Sequence, residues 1–198
     1  MDDRTLEQKS ELKGNGEIEN ACGKKECNSA LYDKLTGALI ELARATEGNE
    51  DLVSETTDKV IMEGLSFAIT NDGCSSLEIT ELIQRVQEEK KKLVPNCFSC
   101  TASCGRNDDY DMQTLWTADK DIRALKLLIL LAVQGIAVYA CRAVIAGYTD
   151  KDVNDFFYKA LFAIGMNWGK DELAAIVMEA AEVNVKCMEL LNKSREEI

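Results

Sequence analysis

Three cysteines fall within eight residues at the start of CFSCTASCGRNDDYD, which spans Cys97 to Asp111: they are Cys97, Cys100 and Cys104. Pro95 and Asn96 before them, and Gly105, Asn107 and Asp108 after them, predict a loop. In a loop, Cys-x2-Cys lets two thiolates chelate one ion or cluster, because backbone N–H groups turn inward and offset the charge. A tetrahedral site takes four ligands and this stretch supplies three. The fourth would come from a distant cysteine, a partner protein or solvent. The competing reading is three structural thiols, since i, i+3, i+7 spacing on a helix would align them on one core-facing stripe.

The other cysteines are Cys22, Cys27, Cys74, Cys141 and Cys187. Cys22 and Cys27 lie in ACGKKEC, where Gly23 permits close backbone approach and Lys24 offsets thiolate charge; solvent-exposed thiols fit the same residues. Cys74 follows the turn TNDG, Thr70–Gly73. Cys141 and Cys187 sit on apolar helical faces, where a cysteine behaves as a small core residue. The N-terminus, MDDRTLEQKSELKG, has no apolar h-region, so no secretory signal is expected and the compartment is cytoplasmic and reducing. Clustered cysteines there point to metal or redox chemistry rather than disulfides.

Several chemistries are excluded. The chain has no histidine, which removes Ser-His-Asp and Cys-His catalysis, His-ligated zinc and His-held haem. No Walker loop occurs, and no GxGxxG follows a strand. The carboxylates of NDDYD, Asn107–Asp111, do not fit an EF-hand loop, and Asp111 reads more simply as the cap of the short segment MQTLW. A net charge of −12 repels phosphate backbones and anionic lipid, so neither nucleic acid nor membrane is expected as a partner.

The elements that must position the cysteines read as helices. Residues 1–20 are polar with no apolar period and read as a mobile arm. Leu31, Leu35, Ala38, Leu39 and Leu42 form one stripe, with Gly48 as the stop; Val53, Thr57, Val60, Ile61, Gly64 and Ala68 form a second; Ile79, Leu82, Ile83, Val86 and Leu93 form a third. EEKKK, Glu88–Lys92, reads as a solvated face. After the linker, Thr117 or Asp119 caps a helix that is apolar nearly all round from Leu127 to Cys141, the signature of a buried central helix; Gly135 would let a neighbouring helix approach. Thr149 and Asp150 open another helix, Gly165 to Gly169 make a turn, and a last helix buries Leu173, Ile176, Val177, Ala180, Cys187 and Leu191. No strand alternation is evident. The expectation is an all-α protein of two three-helix bundles: a first over 21–94, a Cys-rich linker over 95–118, and a second over 119–198.

Several stretches together resemble the hybrid cluster proteins, also called prismane proteins or hydroxylamine reductases, and among them the anaerobe-type members. They are ACGKKECNSALYDKLTGALIEL, GLSFAITNDG, CFSCTASCGRNDDYDMQTLW, DIRALKLLILLAVQGIAVYACRAVIAGYTDKDVNDFFYKALFAIG and VNVKCMELLNK, in one order over nearly the whole chain. The resemblance implies the family's helical domain, again two three-helix bundles. It also implies that the family's hybrid cluster, held by later α/β domains through His, Glu and Cys, is not assembled by this polypeptide. Of the family's N-terminal cubane ligands only Cys22 matches, with Gly23 and Lys24 behind it, and one ligand cannot hold that cluster. The metal candidates are therefore Cys97, Cys100, Cys104 and Cys22, for a 4Fe-4S cluster or zinc. Three roles follow as expectations: a redox accessory, an interaction module without cofactor that pairs with a protein partner or a second copy, or a piece of a truncated or split hydroxylamine reductase.

Overall fold

The computed structural model describes residues 29–70, 75–93 and 110–196, and every regular element among them is helical. Helix α1 is Ser29–Thr46, α2 Glu55–Thr70, α3 Ser76–Leu93, α4 Met112–Trp116, α5 Lys120–Ile145, α6 Lys151–Gly165 and α7 Lys170–Glu196, with a 3-10 turn at Glu50–Leu52. The all-α expectation is met, with three helices before the Cys-rich linker and three long ones after it. The starts of α4, α5 and α6 use the expected aspartates. Asp111 accepts from the Gln113 N–H at 2.9 Å, Asp119 from Asp121 at 3.1 Å, and Asp150 from Asp152 at 2.9 Å. Each satisfies an amide that the helix leaves unpaired. After α1 the chain turns through Gly48 at φ 74°, the left-handed conformation that favours glycine.

The helices on either side of the linker share one core. α1 packs on α3 and on α6, and α2 packs on α5. Every residue from Leu35 to Ala43 is buried, Glu41 included, and Arg44 Nη1 pairs with Glu41 Oε1 at 2.5 Å. α1 is thus enclosed on all sides through its middle. Gly165 permits part of this enclosure: a Cβ there would lie 2.8 Å from Ile40 Cγ2 and 2.9 Å from Arg44 Cδ.

Two expectations about solvent exposure are corrected. α5 is central, packing against α2, α6 and α7, but it is not enclosed. Ile129, Leu130, Val133, Ile136, Ala137 and Ala140 form one buried stripe toward α2, α6 and α7, while Leu131 is 61% exposed and Leu128 47%. Apolar content all round a helix does not enclose it when its neighbours leave one strip uncovered. A Cβ on Gly135 would meet nothing within 4 Å, so no helix of this chain uses that glycine for close approach. By length and composition alone α5 could cross a membrane, a test that a packed core helix also passes. Its Lys126 is buried, and the ammonium donates to the Met166 carbonyl at 2.8 Å, with burial pulling its pKa down.

EEKKK is not wholly solvated either. Glu89 is buried, accepts from Thr57 Oγ1 at 3.2 Å and pairs with Lys92. Lys90 is buried beside it. The α2–α3 contact brings Thr57 against the last turns of α3, and a hydroxyl there can hydrogen-bond a carboxylate removed from water.

Candidate functional site

The four proposed metal ligands, Cys97, Cys100, Cys104 and Cys22, lie outside the described residues, as do Cys27 and Cys74. Among the described residues no group of three or more Cys, Asp or Glu is arranged to hold a metal ion. Cys187 is buried and its thiol donates to the Ile136 carbonyl at 3.8 Å; burial pushes its pKa up to about 11. Cys141 is half-buried, 3.5 Å from Ser66 Oγ, and burial raises it too. Both stay thiols at neutral pH and pack the core, as the sequence predicts.

The anchors of the Cys-rich linker are well defined. On one side Leu93 is buried at the end of α3. On the other, the Tyr110 carbonyl sits where a Cβ on Gly37 of α1 would be, 2.3 Å away. The Tyr110 phenol oxygen is buried and finds no hydrogen-bond partner among the described residues, and burial raises its pKa. Asp111 then caps α4, Trp116 Nε1 donates to Asp33 Oδ2 of α1 at 3.2 Å, and Arg123 Nη1 donates to the Trp116 carbonyl at 2.8 Å. The C-terminal end of the linker is thereby clamped along the first half of α1, from Gly37 back to Asp33.

That same half of α1 begins at Ser29, two residues after Cys27 and seven after Cys22. From Gly37 to Ser29 the helix rises about 12 Å. Cys104 is six residues before Tyr110 in the sequence.

A second polar constellation escaped the sequence reading. A cleft of about 450 Å³ opens between the end of α1, the 3-10 turn, the start of α2 and α6. On its wall the Asp58 carboxylate accepts from Tyr158 Oη at 2.6 Å and from Asn154 Nδ2 at 3.0 Å. Burial first, then the hydrogen bond to Asp58, pushes the Tyr158 pKa far up, so the phenol remains a neutral donor. Asn154 and Tyr158 at i, i+4 on an otherwise apolar stripe were the available signal; their partner a hundred residues away was not. The arrangement ties α2 to α6 and leaves no activated nucleophile. Tyr158→Phe removes one of two donors from a half-buried carboxylate and is expected to cost about 1–3 kcal/mol, read by urea unfolding. A change under a few tenths would mean that water replaces the phenol without loss.

Comparison with known proteins assigns the chain. A sequence profile described as the Prismane/CO dehydrogenase family matches residues 12–198. The chain belongs to that family. This prismane-family chain is 31% identical over 199 residues to a hydroxylamine reductase of Chlorobaculum tepidum, covering 94% of the chain and 37% of that relative. It is 28% identical over 194 residues to the hydroxylamine reductase of Maridesulfovibrio salexigens, and 29% over 205 residues to that of Methanocella arvoryzae. In those two the match covers 91% of the chain and 36% and 38% of the relative. The prismane-family chain thus spans little more than a third of the length of these relatives.

Proposed function

We propose that this chain is a hybrid-cluster-type helical domain acting as a redox accessory in the cytoplasm, binding a 4Fe-4S cluster or a zinc ion through Cys97, Cys100, Cys104 and Cys22. The observation that supports this reading is the packing of the described end of the Cys-rich linker on the first half of α1, with Tyr110 against Gly37 and Trp116 on Asp33. The donor set fits: four thiolates satisfy a tetrahedral zinc or a cubane cluster. A bound cluster would supply one-electron storage. The chain's own residues supply the ligands and fix the linker's C-terminal end. A hydroxylamine reductase label is carried by relatives nearly three times longer, and the chain alone, without histidine, is expected to turn over no hydroxylamine above free iron and thiol controls.

The test is anaerobic purification and reconstitution, followed by iron, sulfide and zinc analysis and absorption spectroscopy. Near-stoichiometric metal is expected. Cys97→Ser, Cys100→Ser and Cys104→Ser together should abolish it, and Cys22→Ser alone should weaken retention by about 10-fold or more, the scale of losing one of four ligands. Metal content unchanged in the triple variant would sink the proposal. A metal-free, folded chain would favour the second reading, a non-catalytic interaction module, which the exposed apolar residues of α5 and α7 support.

A further inference from the structure

The cleft between the end of α1, the 3-10 turn, the start of α2 and α6 is unbalanced in charge. Its volume of about 450 Å³ lies in the range of small-molecule sites. Both lysines on its wall are already engaged: Lys151 pairs with Asp155 and Lys159 with Glu179, each at 2.6 Å. Three more carboxylates line it, Glu47, Glu50 and Asp58. None of the three has a lysine or arginine within ion-pair distance among the described residues. Glu50 accepts from the Gly48 N–H at 2.9 Å, and the backbone amides of Glu50 and Gly48 hold its carboxyl below the usual range, so it stays charged. Asp58 is the fixed point. Its Oδ1 accepts from Tyr158 and its Oδ2 from Asn154. A carboxylate offers about four lone-pair sites, so these two donors orient it and leave room for a further donor.

We propose that this cleft binds an organic cation, an ammonium group on an aliphatic stem, with Asp58 as its anchor. An inorganic cation fits poorly, because among the described residues no three carboxylates converge as a metal ion requires. The acids are spread instead: Glu47 and Glu50 at the end of α1 and the turn after it, Asp58 in the first turn of α2. The α6 wall of the cleft rises about 16 Å from Lys151 to Phe162. An elongated cation reaches more than one acid along that length. Ala43, Val53 and Phe162 supply apolar surface for the stem, and the Phe162 ring is held edge-on by Trp168 with centroids 6.1 Å apart. Aromatic walls at Tyr158 and Phe162 suit a cation as well. The ligand class that meets these features is an alkyl diamine, with one ammonium on Asp58 and the other at Glu47 and Glu50. A lysine side chain of a partner protein presents the same ammonium. No cysteine lines the cleft, so the site stands whether or not the linker holds metal.

Calorimetric titration of the full chain with diaminobutane, and separately with acetyl-lysine amide, at low ionic strength tests the site. Saturable binding of diaminobutane is expected, with a Kd of about 1 mM or tighter. Amide NMR spectra should show the Asn154 side-chain resonances moving during the titration. Asp58→Asn keeps the shape, removes the charge and should weaken binding about tenfold or more. Because Asp58 also ties α2 to α6, Glu47→Gln with Glu50→Gln is the second variant. Both side chains are exposed, so Tm should hold while affinity falls about threefold or more, the scale of exposed charge pairs. Glu88→Gln, an exposed acid on α3, should change nothing. Saturation by acetyl-lysine amide alone supports the same site and assigns its cation to a partner protein. Three results overturn the proposal: neither amine saturating below about 10 mM, equal losses in Glu88→Gln and Asp58→Asn, or equal binding of uncharged butanediol.

Discussion

Phe157→Ala is expected to cost about 3–5 kcal/mol, measured as the free energy of urea unfolding. Phe157 is 1% exposed and is the largest fully buried side chain among the described residues, on the helix that packs against α1, α5 and α7. Removing the ring takes away its transfer energy and leaves a cavity that three helices would have to close together. A domain of ordinary stability holds only about 5–15 kcal/mol, so the variant should sit near its folding threshold. Leu131→Ala is the matched control: an exposed apolar truncation on the monomer surface should move stability by about 0.5 kcal/mol or less. Equal losses at the two positions would mean that α6 is not docked as described.

Gly37→Val is the second large effect, and it separates packing from propensity. The atom nearest a Cβ at Gly37 is the Tyr110 backbone carbonyl oxygen at 2.3 Å, with its carbon at 3.4 Å. A backbone group cannot evade the clash by changing rotamer. Either α1 shifts within its enclosure or Tyr110 and α4 lift away. The expected loss is at the upper end of the roughly 1–3 kcal/mol typical of overpacking. Lifting α4 breaks the Trp116–Asp33 hydrogen bond, so Trp116 fluorescence should report it directly. If the linker holds metal, retention should fall in parallel. Gly135→Val, where a Cβ meets nothing within 4 Å, should leave the Trp116 signal unmoved. A Gly37→Val protein as stable as the parent, with unchanged Trp116 emission, would refute the anchoring of the linker's end to α1.

Local features were read correctly from the residues. The stripes of α1, α2 and α3, the caps at Asp111, Asp119 and Asp150, and the core positions of Cys141 and Cys187 each depend on chemistry within a turn or two of the chain. What was misread depends on which elements meet. Leu127 to Cys141 is apolar nearly all round, and nothing in those residues says that the neighbours leave one strip uncovered. Glu89 looks like its exposed neighbour Glu88 until Thr57 arrives from α2. Asp58, Asn154 and Tyr158 are unremarkable polar residues until the α2–α6 contact brings them together. The candidate metal site is legible only as composition and spacing, since its four cysteines fall outside the described residues and only the anchors on α1 bear on it.

The enclosure of α1 has a consequence for how the polypeptide comes off the ribosome. The helix is made well before α6, one wall of its surroundings, which follows more than a hundred residues later. Until α6 emerges, Ile40 and its neighbours stay open to water or to whatever apolar surface is nearby. Pairings of such long sequence separation form slowly, because the intervening chain must be closed into a loop first. The nascent α1 is therefore a natural client for a chaperone, and its exposure ends only when translation has passed α6.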